Sequence, residues 1–99
     1  MTKLDKAVAI AMGLRVEERA GQDFVEVTPD HMTWLSSWLE TYNIADRLMD
    51  GHHKDGTRIE TEYFGRRWCA TCEGVSAQHQ DRKTAALMAF CKFKGVAYE

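Results

Sequence analysis

Three cysteines, four histidines and a run of carboxylates are the residues of this chain that could do chemistry. Cys69-Ala-Thr-Cys72 has the C-x-x-C spacing. Such a pair holds zinc when a second pair completes the set, and does redox work at a helix start. The sequence contains no second pair. If residues 69–72 are a strand, residues three apart face opposite sides, which puts Cys72 in the core and Cys69 on the wet face as structural cysteines. Zinc completed by His52, His53 or His79 is the alternative. His52-His53 reads as part of a glycine-flanked loop, and His79 as a histidine at a sheet edge. A nucleophilic cysteine needs a histidine in reach and a third group to orient it. Cys69 would instead have Glu62 and Gln78 as cross-strand neighbours. The sequence therefore assigns no catalytic residue, metal or cofactor, and the chain is read as a non-enzyme.

Charge is distributed unevenly. Residues 14–50 carry eight acids (Glu17, Glu18, Asp23, Glu26, Asp30, Glu40, Asp46 and Asp50) against Arg15, Arg19 and Arg47, a net −5. Residues 51–99 carry eight bases and six acids, a net +2. An acidic segment is ordinarily a solvated face. Its functional reading is a surface that binds a basic partner or mimics nucleic acid, built from Glu17, Glu18, Asp23, Glu26 and Asp30. Trp34, at the edge of an apolar stripe, would be its interface anchor. Arg58, Arg66, Arg67, Arg82 and Lys83 form a second, basic candidate patch. Without exposed aromatics among them, that is a weak nucleic-acid signal.

These side chains need elements to position them. Thr2 and Asp5 suit the start of a helix over 3–12, with Leu4, Ala7, Val8 and Ala11 at helical spacing and Gly13 ending it. Residues 14–27 read as two short extended pieces turning at Ala20-Gly21. Thr28-Pro29 opens a helix over 30–40. Leu35, Trp38 and Tyr42 make one apolar stripe, while Ile44, Ala45, Leu48 and Met49 make another, rotated from it. A break at 41–43 with Asn43 as cap starts a further helix over 43–50, and a loop follows over 51–56.

Strands are expected at 57–64, 66–72 and 75–79. A Gly65-Arg66 turn of type II′ sets Tyr63 opposite Trp68. A Glu73-Gly74 turn sets Cys72 opposite Val75. Both turns independently place Ile59, Thr61, Tyr63, Trp68, Ala70, Cys72, Val75 and Ala77 on one core face, with Trp68 at its centre. A one-residue slip would invert that face, so the register is well specified. Asp81 caps a buried helix over 82–94, which Gly95 ends. The expectation is one α+β domain over 1–99, a two-layer arrangement of a three-stranded antiparallel meander against helices.

The 99 residues are 44% hydrophobic, with one proline and a net charge of −2, which excludes wholesale disorder. The longest apolar runs, Ala7–Met12 and Ala85–Cys91, fall far short of the roughly 20 residues a membrane span needs. An odd number of cysteines is no disulfide framework. A cytoplasmic protein without membrane contact is expected.

The order of Asn43–Asp50, the strand 57–64, Gly65-Arg-Arg-Trp-Cys-Ala-Thr71, Ser76-Ala-Gln-His79 and Thr84–Cys91 resembles the small bacteriophage proteins of the phage ABA sandwich domain family. Lys6-Ala-Val-Ala-Ile-Ala-Met-Gly-Leu14 is similar to that family's opening helix. Residues 28–40 depart from the pattern and resemble an insertion. The resemblance implies a phage or prophage origin and a host-cytoplasmic setting, and brings no catalytic residues. By analogy with other small phage proteins, it implies binding to a host protein or complex. Inhibition of a host defence system, such as a CRISPR effector complex, is the leading expectation. A small nucleic-acid-binding or zinc-binding phage accessory protein is the alternative.

Overall fold

The computed structural model describes residues 3–50 and 58–98. Ten elements follow in chain order: α1 (Lys3–Ala11), β1 (Val16–Arg19), β2 (Gln22–Thr28), β3 (His31–Trp34), α2 (Leu35–Thr41), α3 (Ile44–Met49), β4 (Ile59–Phe64), β5 (Arg67–Cys72), β6 (Val75–His79) and α4 (Arg82–Lys94). They build two separate antiparallel sheets, β1-β2-β3 and β4-β5-β6. The α+β class is as expected, and the first of these sheets is the addition. The Thr2 cap, the His52-His53 pair and the rest of the 51–56 loop lie outside the described residues.

The β4–β6 meander has the anticipated register. Tyr63 pairs with Trp68, Ile59 with Cys72, Cys72 with Val75, and Trp68 with His79. Four of its core-face residues, Ile59, Ala70, Cys72 and Ala77, are buried, and α4 packs across all three strands. The turn at Gly65-Arg66 differs from the expected type. Both residues have positive φ, 59° and 68°. That is the type I′ signature, whose twist matches the strands it joins. Ala20-Gly21 and Glu73-Gly74 also have positive φ at both central positions.

The expected helix over 30–40 is corrected at its start: Asp30 stands in a turn and His31–Trp34 is the strand β3. Pro29-Asp30 is a two-residue connection, with Thr28 opposite His31, and the helix starts only at Leu35. Proline's fixed φ of about −65° serves the first turn of a helix and the second position of a β-turn equally well. Cross-strand packing decides between them. Thr33 pairs with the fully buried Val25, and Trp34 pairs with Phe24. An unprimed turn splays its strands, and the register shift between Glu26 and Thr28 accommodates it.

The break between α2 and α3 falls where the rotated stripes require it. Asn43 does not cap with its side chain, however. It takes up the left-handed conformation (φ 50°, ψ 46°), and its carbonyl accepts Arg47 N–H at 3.0 Å. Asparagine tolerates this region better than most residues. The termini of α4 are as anticipated. Asp81 Oδ2 accepts Thr84 N–H at 2.9 Å, and Gly95 is left-handed.

One buried cluster joins all four helices to both sheets. Helix α4 packs on β4–β6, while α1 and α3 pack on α4; α2 reaches β2 and β3, and α1 reaches β1. The helices therefore lie between two sheets rather than on one face of a single meander. Each sheet turns its other face outward. The fully buried tryptophan is Trp38, at 1% exposure, and Trp68 sits only half-buried at the sheet's margin. No helix among the described residues is long and apolar enough to cross a membrane.

Candidate interaction surfaces

The outward face of the β1–β3 sheet follows from period-two alternation. Val25 is buried, so its neighbours Phe24 and Glu26 point away from the core. Glu17 pairs with Phe24, Phe24 with Trp34, and Glu26 with Met32. These residues share one face with Arg19. Trp34 is 56% exposed, and its ring meets the Phe24 ring edge-on, centroids 6.3 Å apart.

Around this apolar pair runs a charge network. Arg19 Nε bonds Glu17 Oε1 at 2.7 Å. Arg15 Nη2 bridges Glu17 at 3.1 Å and Glu26 at 3.3 Å. Arg19 Nη2 also lies 3.8 Å from Met32 Sδ. The Arg19 bond, aided by both guanidinium charges, holds the Glu17 carboxyl below its ordinary range.

Of the six residues singled out in the sequence, Glu17, Glu26 and Trp34 converge here. Glu18 and Asp23 pair with each other across β1 and β2 on the side of Val16 and Val25, toward the helices. Asp23 adds a minor repulsion to Asp5, a buried α1 carboxyl whose pKa is raised chiefly by burial. Asp30 stands in the β2–β3 turn. The acidic segment is thus divided between faces, and its outward part is neutralised by arginine. Phe24 and Met32 belong to the surface but escaped the sequence reading. Their alternation with Trp34 is visible only once 31–34 is taken as a strand.

A second surface lies at the hairpin end of the β4–β6 sheet. Tyr63, Trp68 and His79 form one row across its three strands. Helix α4 begins beside this row. Arg82, its first residue, sets its guanidinium 5.6 Å from the Trp68 ring and donates Nε–H to Thr61 Oγ1 at 2.9 Å. Tyr63 lies 5.3 Å from Trp68 between ring centroids and is 59% exposed. Tyr63 shares the core face as expected, yet most of its surface is exposed. On the other face, Phe64 is 75% exposed opposite Arg67.

The cysteines separate as the strand register requires. Cys72 is buried, and Cys69 is half-buried on the other face opposite Glu62 and Gln78. The two thiols cannot turn to one ion from opposite faces of a strand. Burial pushes the Cys72 thiol up, with a smaller push from Glu73, and takes Cys91 up to about 12. Among the described residues, no group of three or more His, Cys, Asp or Glu is placed to hold a metal. No family model, no curated protein and no solved structure matches the chain.

Proposed function

We propose that this chain is a non-enzymatic protein-binding domain that engages its partner through the outward face of the β1–β3 sheet. The observation that carries the reading is Trp34, a large ring left more than half exposed at the end of a strand and braced by Phe24. An exposed aromatic ringed by polar groups has the anatomy of an interface, with an anchor at its centre and a polar rim. Here the rim is Arg15, Glu17, Arg19 and Glu26, already ion-paired with one another. Holding their geometry before the partner arrives lowers the ordering cost of binding. Glu18, Asp23 and Asp30 would then contribute through field rather than contact.

The resemblance to small phage proteins supports a finer reading, in which the partner is a host defence complex such as a CRISPR effector and binding blocks it. That step rests on analogy between small phage domains. The test is plaquing of a targeted phage on a host with an active CRISPR system. Expression of the chain should restore plaques, and Trp34→Ala should abolish the effect while Tyr63→Ala retains it. Affinity capture from the same host should give partners retained by Tyr63→Ala and lost by Trp34→Ala. Identical capture by both variants would refute the Trp34 face as the interface. Captured partners without restored plaquing would refute the defence reading alone.

A further inference from the structure

We propose that the hairpin end of the β4–β6 sheet binds single-stranded nucleic acid, stacking bases on Tyr63 and Phe64 and holding phosphates with Arg66, Arg67 and Arg82. Two independent observations support this, and neither depends on the protein-binding face.

The first is charge. Arg15 and Arg19 of the other sheet are paired with Glu17 and Glu26. Arg66 and Arg67 are exposed at the tip, and neither makes an ion pair with a described carboxylate. Arg82 spends its Nε–H on a neutral hydroxyl and its π-facing side on Trp68. The neighbouring acids do not cancel this charge. Asp81 is occupied in capping α4, where its bond to Thr84 N–H lowers its pKa. Glu62, opposite Cys69, lies on the face of Phe64 and Arg67, away from Arg82, and makes no ion pair with Arg66 or Arg67. The complement to three guanidiniums that no described carboxylate pairs with, set within one hairpin and the adjoining helix turn, is an anion.

The second is the aromatic arrangement. An acidic peptide would be satisfied by charge alone, whereas bases need rings with a free face. Tyr63, Trp68 and His79 are set side by side on neighbouring strands, which run about 4.8 Å apart. Arg82 covers Trp68, so Tyr63 is the open member of the row. His79 is oriented by its Nδ1, which accepts Asp81 N–H at 2.9 Å. Phe64 gives a second exposed ring on the reverse face beside Arg67. A strand passing around the Gly65-Arg66 tip would meet a ring on each side and a guanidinium at the turn. A duplex keeps its bases stacked on one another and could use only the arginines.

The test is fluorescence anisotropy with the full chain and a labelled oligothymidylate of about 12 nucleotides, against a duplex of equal length. The single strand should bind more tightly than the duplex. With three phosphate contacts, the slope of log K against log salt should be about −2, and Arg66→Gln with Arg67→Gln should flatten it to about −0.7. Loss of stacking in Tyr63→Ala should weaken binding about 5- to 150-fold. Phe64→Ala gives an independent reading on the other face. Both rings are exposed, so circular dichroism should show each variant folded. Unchanged affinity in both ring variants would overturn the proposal. So would equal binding of the duplex, or equal competition by polyglutamate, which would mark the site as one for acidic polymers in general. Trp34→Ala should bind the oligonucleotide normally, which separates this outcome from failure of the protein-binding reading.

Discussion

Replacing Trp34 and Trp38 by alanine in turn separates a ring kept for contact from a ring kept for packing. The two are four residues apart in sequence, and their exposures are 56% and 1%. Truncating a fully buried aromatic costs about 3–5 kcal/mol. Trp38 sits within the cluster that joins the helices to both sheets, so the full range applies. For a domain whose total stability is of the order of 5–15 kcal/mol, that brings Trp38→Ala close to unfolding. Trp34 has less than half its surface covered, and its main neighbour is the Phe24 ring. Scaling the transfer cost by the covered share gives about 1–2 kcal/mol, which includes an edge-to-face pair worth about 0.5–1.5 kcal/mol. Urea unfolding followed by far-UV circular dichroism measures both, because that signal does not depend on tryptophan emission. The midpoint should move while the slope stays constant. Equal losses from the two substitutions would refute the reasoning. They would mean that the Trp34 ring is structural, and the outward face would lose its claim to be an interface.

Four further sets of outcomes are expected. Cys69 should react with a thiol reagent in the native protein at mildly alkaline pH, while Cys72 and Cys91 wait for unfolding; mass spectrometry of the labelled chain resolves the order. At the type I′ turns, Gly74→Ala should destabilise by about 1–2 kcal/mol, since a side chain there meets no neighbour and the cost is that of left-handed backbone alone. Arg66→Gly should shift the melting temperature upward for the same reason. Asp81→Ala should remove about 1 kcal/mol at neutral pH. The Asp81 pKa is lowered in the folded chain, so its contribution is full above the ordinary aspartate range and fades as pH falls through the lowered value. Asp5 has the opposite sign. Its pKa is raised by burial, so ionised Asp5 weakens the fold at neutral pH and ceases to do so in acid. Asp5→Asn should therefore stabilise at pH 7, with the gain vanishing below the ordinary value of 3.8, as melting curves across pH would show.

The parts of the fold legible in the sequence are those where two local signals agree. The register of β4–β6 is constrained twice, by the turn at Gly65-Arg66 and by the turn at Glu73-Gly74, and either alone gives the same core face. Helix α4 has Asp81 at one end and Gly95 at the other. By contrast, β3 is four residues long and follows a proline whose φ suits both helix and turn. Its identity depends on Phe24 and Val25, several residues back on another strand. The surfaces were less legible than the fold for a related reason. Trp34 could be named as an anchor, but its companions Phe24 and Met32 share its face only in a sheet. The openness of Tyr63 depends on where α4 starts relative to the hairpin, which period-two patterning of β4 does not contain.

In both sheets every strand pairs with the one next to it in sequence. Each of the four hairpins closes through only two residues. Such contacts form on the microsecond scale and need no distant segment to be brought in. The long-range requirement falls on α1, which must dock on α4 across roughly seventy intervening residues and bears the loop-closure entropy. The two sheets can therefore assemble as independent local units, and the meeting of the first and last helices should be the step that sets the folding rate. Because the hairpins are already formed when those helices meet, turn substitutions such as Arg66→Gly should alter mainly the folding rate, whereas Val8→Ala should also shorten the lifetime of the folded state to the extent that the α1–α4 contact is completed after that step.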